Sequence, residues 1–158
     1  MTTTQEKELL LLDLIKELLK KSKVVKDMFD SFDVDLESID DMPIEFADLP
    51  VSAKTKNGKV YLNKKLLDDD GFADDIHYIV HEANHWLQQG SGEIRHKHNE
   101  DEEYLDLPTE MEAFKNQLCY IRESKGNEEA KKYLDMLLEF HNYSGEAKKR
   151  KERELMGD

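Results

Sequence analysis

Cysteine is nearly absent from this chain: its 158 residues include a single one, Cys119. One thiol cannot form an intrachain disulfide, and it excludes a zinc finger built from several cysteines. Cys119 falls on a predicted helix, where we expect a buried and inert thiol.

Long apolar runs and positive charge are also lacking. Leucines are dense between residues 9 and 19, but charged side chains interrupt them well short of the length that spans a membrane. The net charge of −13 argues against nucleic acid or an anionic membrane as partner, because phosphate binding requires a cationic surface. The first residues show no cationic segment before an apolar core, so we expect no signal peptide and a cytoplasmic location.

The length and composition fit one domain over residues 1–158, with enough chain to bury a core. Leucine spacing predicts an amphipathic helix over residues 5–21 that could continue to Phe29, and its apolar face could pack on this chain or on another copy. Residues 30–41 are predicted to be an irregular linker, and residues 128–141 a further helix. Residues 147–158 form a charged tail that could be helical or disordered. The oligomeric state stays open.

The most informative stretch is His81-Glu82-Ala83-Asn84-His85, which has the form HExxH. Residues four apart on a helix share a face, so His81 and His85 can bind one metal ion. Zn²⁺ binds imidazole nitrogen readily, and a catalytic zinc site leaves one position for water. Glu82 follows the first histidine at a place where its carboxylate could reach that water. The motif therefore predicts two ligands and a base, and a third ligand is needed.

The flanking residues predict the helix that this motif requires. An apolar stripe recurs at helical spacing and centres nearly opposite His81 and His85. Its members are Phe72, Ile76, Ile79, Val80, Ala83 and Leu87. Asp74 and Asp75 suit the first turn of the helix, and Gly90 suits its C-terminal end. Two histidines that do not share a metal ion would not be expected to lie together on the side away from the stripe.

The candidate third ligand is Glu110, near the start of another predicted helix. Glu110 and Glu112 are about 200° apart around a helix, so they cannot both point at one metal. Glu110 shares its side with Ala113, Phe114 and Gln117; Glu112 shares its side with Lys115, Asn116 and Cys119. Taken alone, both acids are ordinary for a helix N-terminus. Beside a two-histidine helix that lacks a ligand, Glu110 is the better candidate.

From about Gly58 to Ile121 the chain resembles a minimal gluzincin, on the basis of HEANH followed by PTEMEAF. Small phage-encoded zincins and ImmA/IrrE-type peptidases are similar in the order of a strand, an HExxH helix and an ExxA helix. The resemblance implies an α+β, zincin-like fold, a zinc metallopeptidase, and Glu110, three residues before Ala113, as a zinc ligand. Gluzincins with an ExxAD pattern carry an acid where this chain has Phe114, so that carboxylate is missing or comes from elsewhere.

The residues and the resemblance together predict zinc-dependent hydrolysis of a peptide or protein substrate. His81, His85 and Glu110 would hold Zn²⁺, and Glu82 would take a proton from the attacking water and pass it to the leaving amine. One alternative is a zinc-binding regulatory or interaction protein that cleaves nothing, although a structural zinc would need no base at Glu82. The other is an acidic helical protein with a chance motif.

Three further histidines and one tyrosine are candidates for other roles at the site. His77, one turn before the motif, is expected to border the metal rather than bind it. Tyr104 is the candidate that stabilises the oxyanion of the reaction, and His96 and His98 compete for that role. His96 and His98 could also replace the carboxylate ligand, but the chain lacks the spacing of the third histidine in metzincins.

Asn57-Gly58, between residues 51–56 and 59–63, predicts a hairpin with a type I′ turn. A weaker alternation predicts another strand within residues 43–49. In the resembled family the strand before the active helix borders the cleft, so we expect residues 59–63 at the sheet edge, where an extended peptide could add as a strand. Val60 and Leu62 should then face the core, with Lys59 and Tyr61 outward.

Overall fold

The computed structural model describes residues 4–67, 75–90 and 107–156, which form a mixed α+β fold that is mostly helical with a three-stranded sheet. The elements are α1 (Thr4–Lys20), α2 (Lys23–Ser31), a 3-10 helix (Leu36–Asp41), β1 (Ile44–Ala47), β2 (Ala53–Lys56), β3 (Lys59–Asn63), a second 3-10 helix (Lys64–Leu67), α3 (Ile76–Gly90), α4 (Pro108–Lys125), α5 (Asn127–Phe140) and α6 (Gly145–Met156). None of the helices in these ranges is both long and apolar enough to cross a bilayer.

The N-terminal helix forms as predicted but does not run on to Phe29. It ends at Lys20, and Ser22 caps α2 by accepting a hydrogen bond from the Val25 backbone N–H at 3.1 Å. The apolar face of α1 packs within this chain, with Ile15 and Leu19 buried in the main core. The predicted linker after α2 is in part wrong, because it contains the 3-10 helix Leu36–Asp41 with Ile39 fully buried.

The sheet has the order β1-β3-β2, with β3 parallel to β1 and antiparallel to β2. Val60 and Leu62 are fully buried, which confirms the predicted facing of β3. The prediction that β3 lies at the edge is wrong, since both of its sides are paired. Residues 43–49 were expected to form a strand, but their local pattern does not say which strand they pair with. Their strand, β1, covers the side of β3 that was expected to be open, and among the described strands β2 lies at the edge instead.

Helix α3 lies between the sheet and α4. The predicted apolar stripe is confirmed for its five described members, which are all buried: Ile76, Ile79, Val80, Ala83 and Leu87. Phe72 and Asp74 lie outside the described residues. Because the stripe faces the core, the opposite side of α3 turns its histidines toward α4.

A second apolar cluster joins α4 to the two C-terminal helices. Its buried members are Phe114, Leu118, Leu134, Leu138 and Leu155. The helix predicted over residues 128–141 is α5. The charged tail, for which the sequence allows either helix or disorder, forms α6. Cys119 is exposed, so the prediction of a buried thiol is wrong. The buried stripe of α4 passes through Leu118, and the next residue is turned about 100° away from it.

The hairpin turn offers a matched pair of glycine substitutions. Gly58 has φ of 76° and a Cβ there would meet nothing within 4 Å, so Gly58→Ala tests backbone strain alone. We expect a loss of about 1 kcal/mol in the free energy of unfolding, measured with urea. Gly90→Ala, in equally open space at the end of α3, should leave stability unchanged or slightly higher. Equal effects of the two substitutions would contradict the assigned turn.

Candidate metal centre

Three side chains from α3 and α4 converge at one buried point: His81, His85 and Glu110. Glu110 Oε1 lies 3.0 Å from His81 Nε2 and 2.7 Å from His85 Nε2, and the two Nε2 atoms are 3.2 Å apart. His81 and Glu110 are buried, and His85 is partly exposed. The structure therefore brings together the three residues that the sequence and the resemblance selected as ligands.

These distances fit a metal ion with three protein ligands. Ligand atoms about 2.0–2.1 Å from a tetrahedral zinc ion lie about 3.3 Å from one another. The separations of 3.2 and 3.0 Å are close to that value, and the shorter one, 2.7 Å, is that of a charge-assisted hydrogen bond to Glu110. A carboxylate can only accept, and each imidazole directs Nε2 at it. A proton or a metal cation must therefore lie between these atoms.

The other ring nitrogen of each histidine faces the amide oxygen of a glutamine. His85 Nδ1 lies 2.7 Å from Gln88 Oε1, and His81 Nδ1 lies 2.8 Å from Gln117 Oε1. An amide oxygen accepts, so with the amides placed in this way each Nδ1 donates and each Nε2 is directed at the centre. Hydrogen bonds of this kind fix the ring orientation of metal-binding histidines.

The Nδ1 atoms of both histidines thus contact neutral amides rather than a carboxylate. Phe114, at the position of the acid in ExxAD proteins, instead packs edge-on against the His81 ring, with centroids 4.4 Å apart. The roles of Gln88 and Gln117 were missed in the sequence. Helical spacing could have found them, because Gln88 is three residues after His85, and Gln117 shares the side of Glu110.

The charges at the centre stabilise one another. Burial lowers the pKa of His85, but the hydrogen bond and the negative charge of Glu110 outweigh that effect and raise the pKa to about 9. Burial likewise raises the pKa of Glu110, but hydrogen bonds from His81 and His85 outweigh it and hold the pKa well below its ordinary value. In the absence of metal, this pairing favours a protonated His85 and an ionised Glu110.

Glu82 is buried on the side of α3 that faces the sheet edge. Thr55 of β2 places its hydroxyl 3.0 Å from Glu82 Oε1 and 2.9 Å from the Glu82 backbone carbonyl. The negative charge of Glu82 also helps to raise the pKa of His85. Of the hydrogen bonds seen within the described ranges, those to this carboxylate reach Oε1 alone.

The other residues considered in the sequence are not part of the converging group or lie outside the described ranges. His77 borders the centre as expected, with Nδ1 2.7 Å from Gln117 Nε2, and it is not part of the converging group. Glu112 points elsewhere, toward Gln88 and Asn84. Tyr104, His96 and His98 lie outside the described residues.

Substitution of the converging residues tests the centre directly. Glu110→Ala should weaken zinc affinity by more than about a hundredfold, beyond the losses typical of residues behind the ligands. His81→Ala and His85→Ala should do the same, each measured by competition with a chelator. Glu112→Ala removes no converging side chain, so it should weaken the affinity far less and keep a stoichiometry near one zinc per chain. The reverse ranking of the two glutamates would overturn the assignment.

The raised pKa of His85 predicts a proton released on metal binding. Its folded-state pKa of about 9 lies above the ordinary histidine value, so the ring carries a proton at neutral pH that zinc must displace. Calorimetry in buffers of different ionisation enthalpy should report release of about one proton per zinc from this ring, with apparent affinity rising toward pH 9. Heats independent of the buffer would contradict this charge state.

Comparisons of the chain with protein-family models, with curated proteins and with solved structures found no match. Function is therefore inferred from the residues of this chain and their geometry.

Proposed function

We propose that this chain is a zinc-dependent metallopeptidase with a zincin-like fold, and that it hydrolyses peptide bonds in a peptide or protein substrate. The observation that carries the proposal is the convergence of two imidazole Nε2 atoms and one carboxylate oxygen at the helix that also carries the buried Glu82. The convergence supports a bound cation, and the carboxylate beside it supports a reaction rather than a structural ion.

Zinc is the metal that the ligands and their spacing together favour in this proposal. His81, His85 and Glu110 would hold it, which matches the three-ligand pattern of catalytic zinc sites. Two histidines and one carboxylate also suit non-haem iron(II). The HExxH spacing on one helix, with an acid directly after the first ligand, is the reason to prefer zinc.

Glu82 is proposed as the general base. Bound zinc would supply a Lewis acid that activates a water molecule and polarises the substrate carbonyl. Glu82 Oε1 accepts the hydrogen bond of Thr55, which holds the carboxylate in place. Glu82 Oε2 would take the proton of the attacking water and later give it to the leaving amine nitrogen. Tyr104 stays the proposed donor to the oxyanion, with His96 and His98 as alternatives.

The edge strand β2 supports a peptide as substrate. Among the described strands it pairs only with β3, and Thr55 lies opposite Val60 in that pairing. The same Thr55 contacts Glu82, so the edge lies beside the proposed base. An extended peptide could add to β2 and pass the centre with its scissile carbonyl near Glu82.

Glu82→Gln tests the proposed reaction. The amide cannot accept the proton, so cleavage should fall by a factor of about 10²–10⁴ while zinc content stays that of the parent. The assay is mass-spectrometric detection of new termini in a diverse peptide mixture treated with zinc-loaded protein. Glu128→Gln, at an exposed position on α5, is the control with the same change in net charge.

The outcomes separate the candidate functions. Cleavage by the parent and not by Glu82→Gln supports the peptidase. Equal cleavage by both would show that Glu82 is not the base. Tight zinc binding without cleavage of any peptide would favour a regulatory or interaction protein instead.

A further inference from the structure

Gln88 connects a proposed metal ligand on α3 to a second acid on α4. Its Oε1 lies 2.7 Å from His85 Nδ1, and its Nε2 lies 3.1 Å from the Thr109 carbonyl oxygen and 3.0 Å from Glu112 Oε1. Gln88 is 6% exposed, so these contacts are made away from bulk water.

The chemistry of these partners determines which way the amide of Gln88 points. A backbone carbonyl and a carboxylate can only accept hydrogen bonds, so the group facing Thr109 and Glu112 must be the NH₂. The amide oxygen is therefore left for His85, and His85 Nδ1 must donate to it. A flipped amide would set its oxygen against two acceptors, which is costly in a buried place.

We propose that Gln88 and Glu112 are positioning residues for the His85 ring. They keep His85 Nδ1 donating its proton to Gln88 Oε1 and His85 Nε2 directed at the centre, with or without metal. This rests on the proposed function, since it names residues that orient one of the proposed zinc ligands. Glu110 and Glu112 then have separate roles on α4. Glu110 contacts both histidines directly, and Glu112 acts on His85 through Gln88.

Glu112 is itself held in place by the HExxH helix. Asn84 Nδ2 donates to Glu112 Oε1 at 2.9 Å, and the Asn84 Oδ1 in turn accepts a hydrogen bond from Asn116 Nδ2. Asn84 is 0% exposed. A negative charge fixed behind Gln88 polarises the amide and makes its oxygen a stronger acceptor for His85. A more basic His85 Nε2 would bind a metal more tightly.

His81 has no equally forced arrangement, which makes His85 the ring to test. The Gln117 NH₂ lies 2.7 Å from His77 Nδ1 and 2.9 Å from the Tyr133 hydroxyl. An imidazole nitrogen and a hydroxyl can each donate or accept, so they leave the Gln117 amide free to take either orientation.

The first experiment follows the His85 Nδ1 proton by long-range ¹H–¹⁵N NMR of the full-length labelled protein. In metal-free protein we expect a proton on Nδ1 that is protected from exchange. In zinc-loaded protein this Nδ1 proton should remain, with Nε2 directed at the metal. Gln88→Leu should abolish the protection, whereas Gln89→Leu, at the exposed neighbouring position, should preserve it.

The second experiment measures zinc affinity by chelator competition. Gln88→Leu should weaken binding 10–100-fold, the range typical of residues behind a ligand, and Glu112→Gln about tenfold. Glu112→Gln keeps an acceptor oxygen and removes the charge, so it also serves if Gln88→Leu fails to fold. Glu128→Gln, which changes the net charge equally at an exposed position, should bind zinc like the parent.

The results separate this inference from the proposed function. The positioning role would be overturned if the Nδ1 proton of the parent were unprotected or if its protection survived Gln88→Leu. Unchanged zinc affinity in both Gln88→Leu and Glu112→Gln would also overturn it. If the parent binds no zinc, the peptidase proposal falls, and NMR of the metal-free protein still decides whether Gln88 holds the ring.

Discussion

The structure depends on one electrostatic constraint, the approach of three acceptor atoms to a single buried point between α3 and α4. Two imidazole Nε2 atoms and a Glu110 oxygen lie 2.7 to 3.2 Å apart there. Without a cation, protons must occupy the gap, and the pKa of His85 rises to about 9 as a result. A divalent ion would replace those protons, so metal binding and proton release are one equilibrium. The packing of the two helices sets the distances on which this equilibrium depends.

The surrounding fold holds these two helices in register. The apolar stripe of α3 packs into the main core, and α4, which packs against α3, fully buries the small Ala113. Glutamine side chains then fill the space behind each histidine, where their amides complete hydrogen bonds that a buried imidazole would otherwise lack. On the sheet side, Thr55 ties the edge strand to Glu82. This contact joins α3, which carries both histidines, to the strand at the edge of the described sheet.

Much of the site could be predicted from the sequence because its rules are local. Helical spacing placed His81 and His85 on one face and separated Glu110 from Glu112, and the structure agrees with both. The edge position expected for β3 was wrong because strand order is set by pairing between distant segments. The exposure of Cys119 reflects where the buried stripe of α4 lies. Gln88 and Gln117 went unnoticed because a neutral amide on a helix looks the same in sequence whether it faces solvent or a histidine.

The most direct test of the central claim is X-ray absorption at the zinc edge on stoichiometrically loaded protein. The account predicts two imidazole nitrogens and oxygen neighbours at about 2.0–2.2 Å, with no sulfur in the first shell. That signature should be lost in His81→Ala and preserved in Cys119→Ser. A sulfur neighbour at about 2.3 Å would place the zinc on the exposed Cys119 instead, and would contradict the site between α3 and α4.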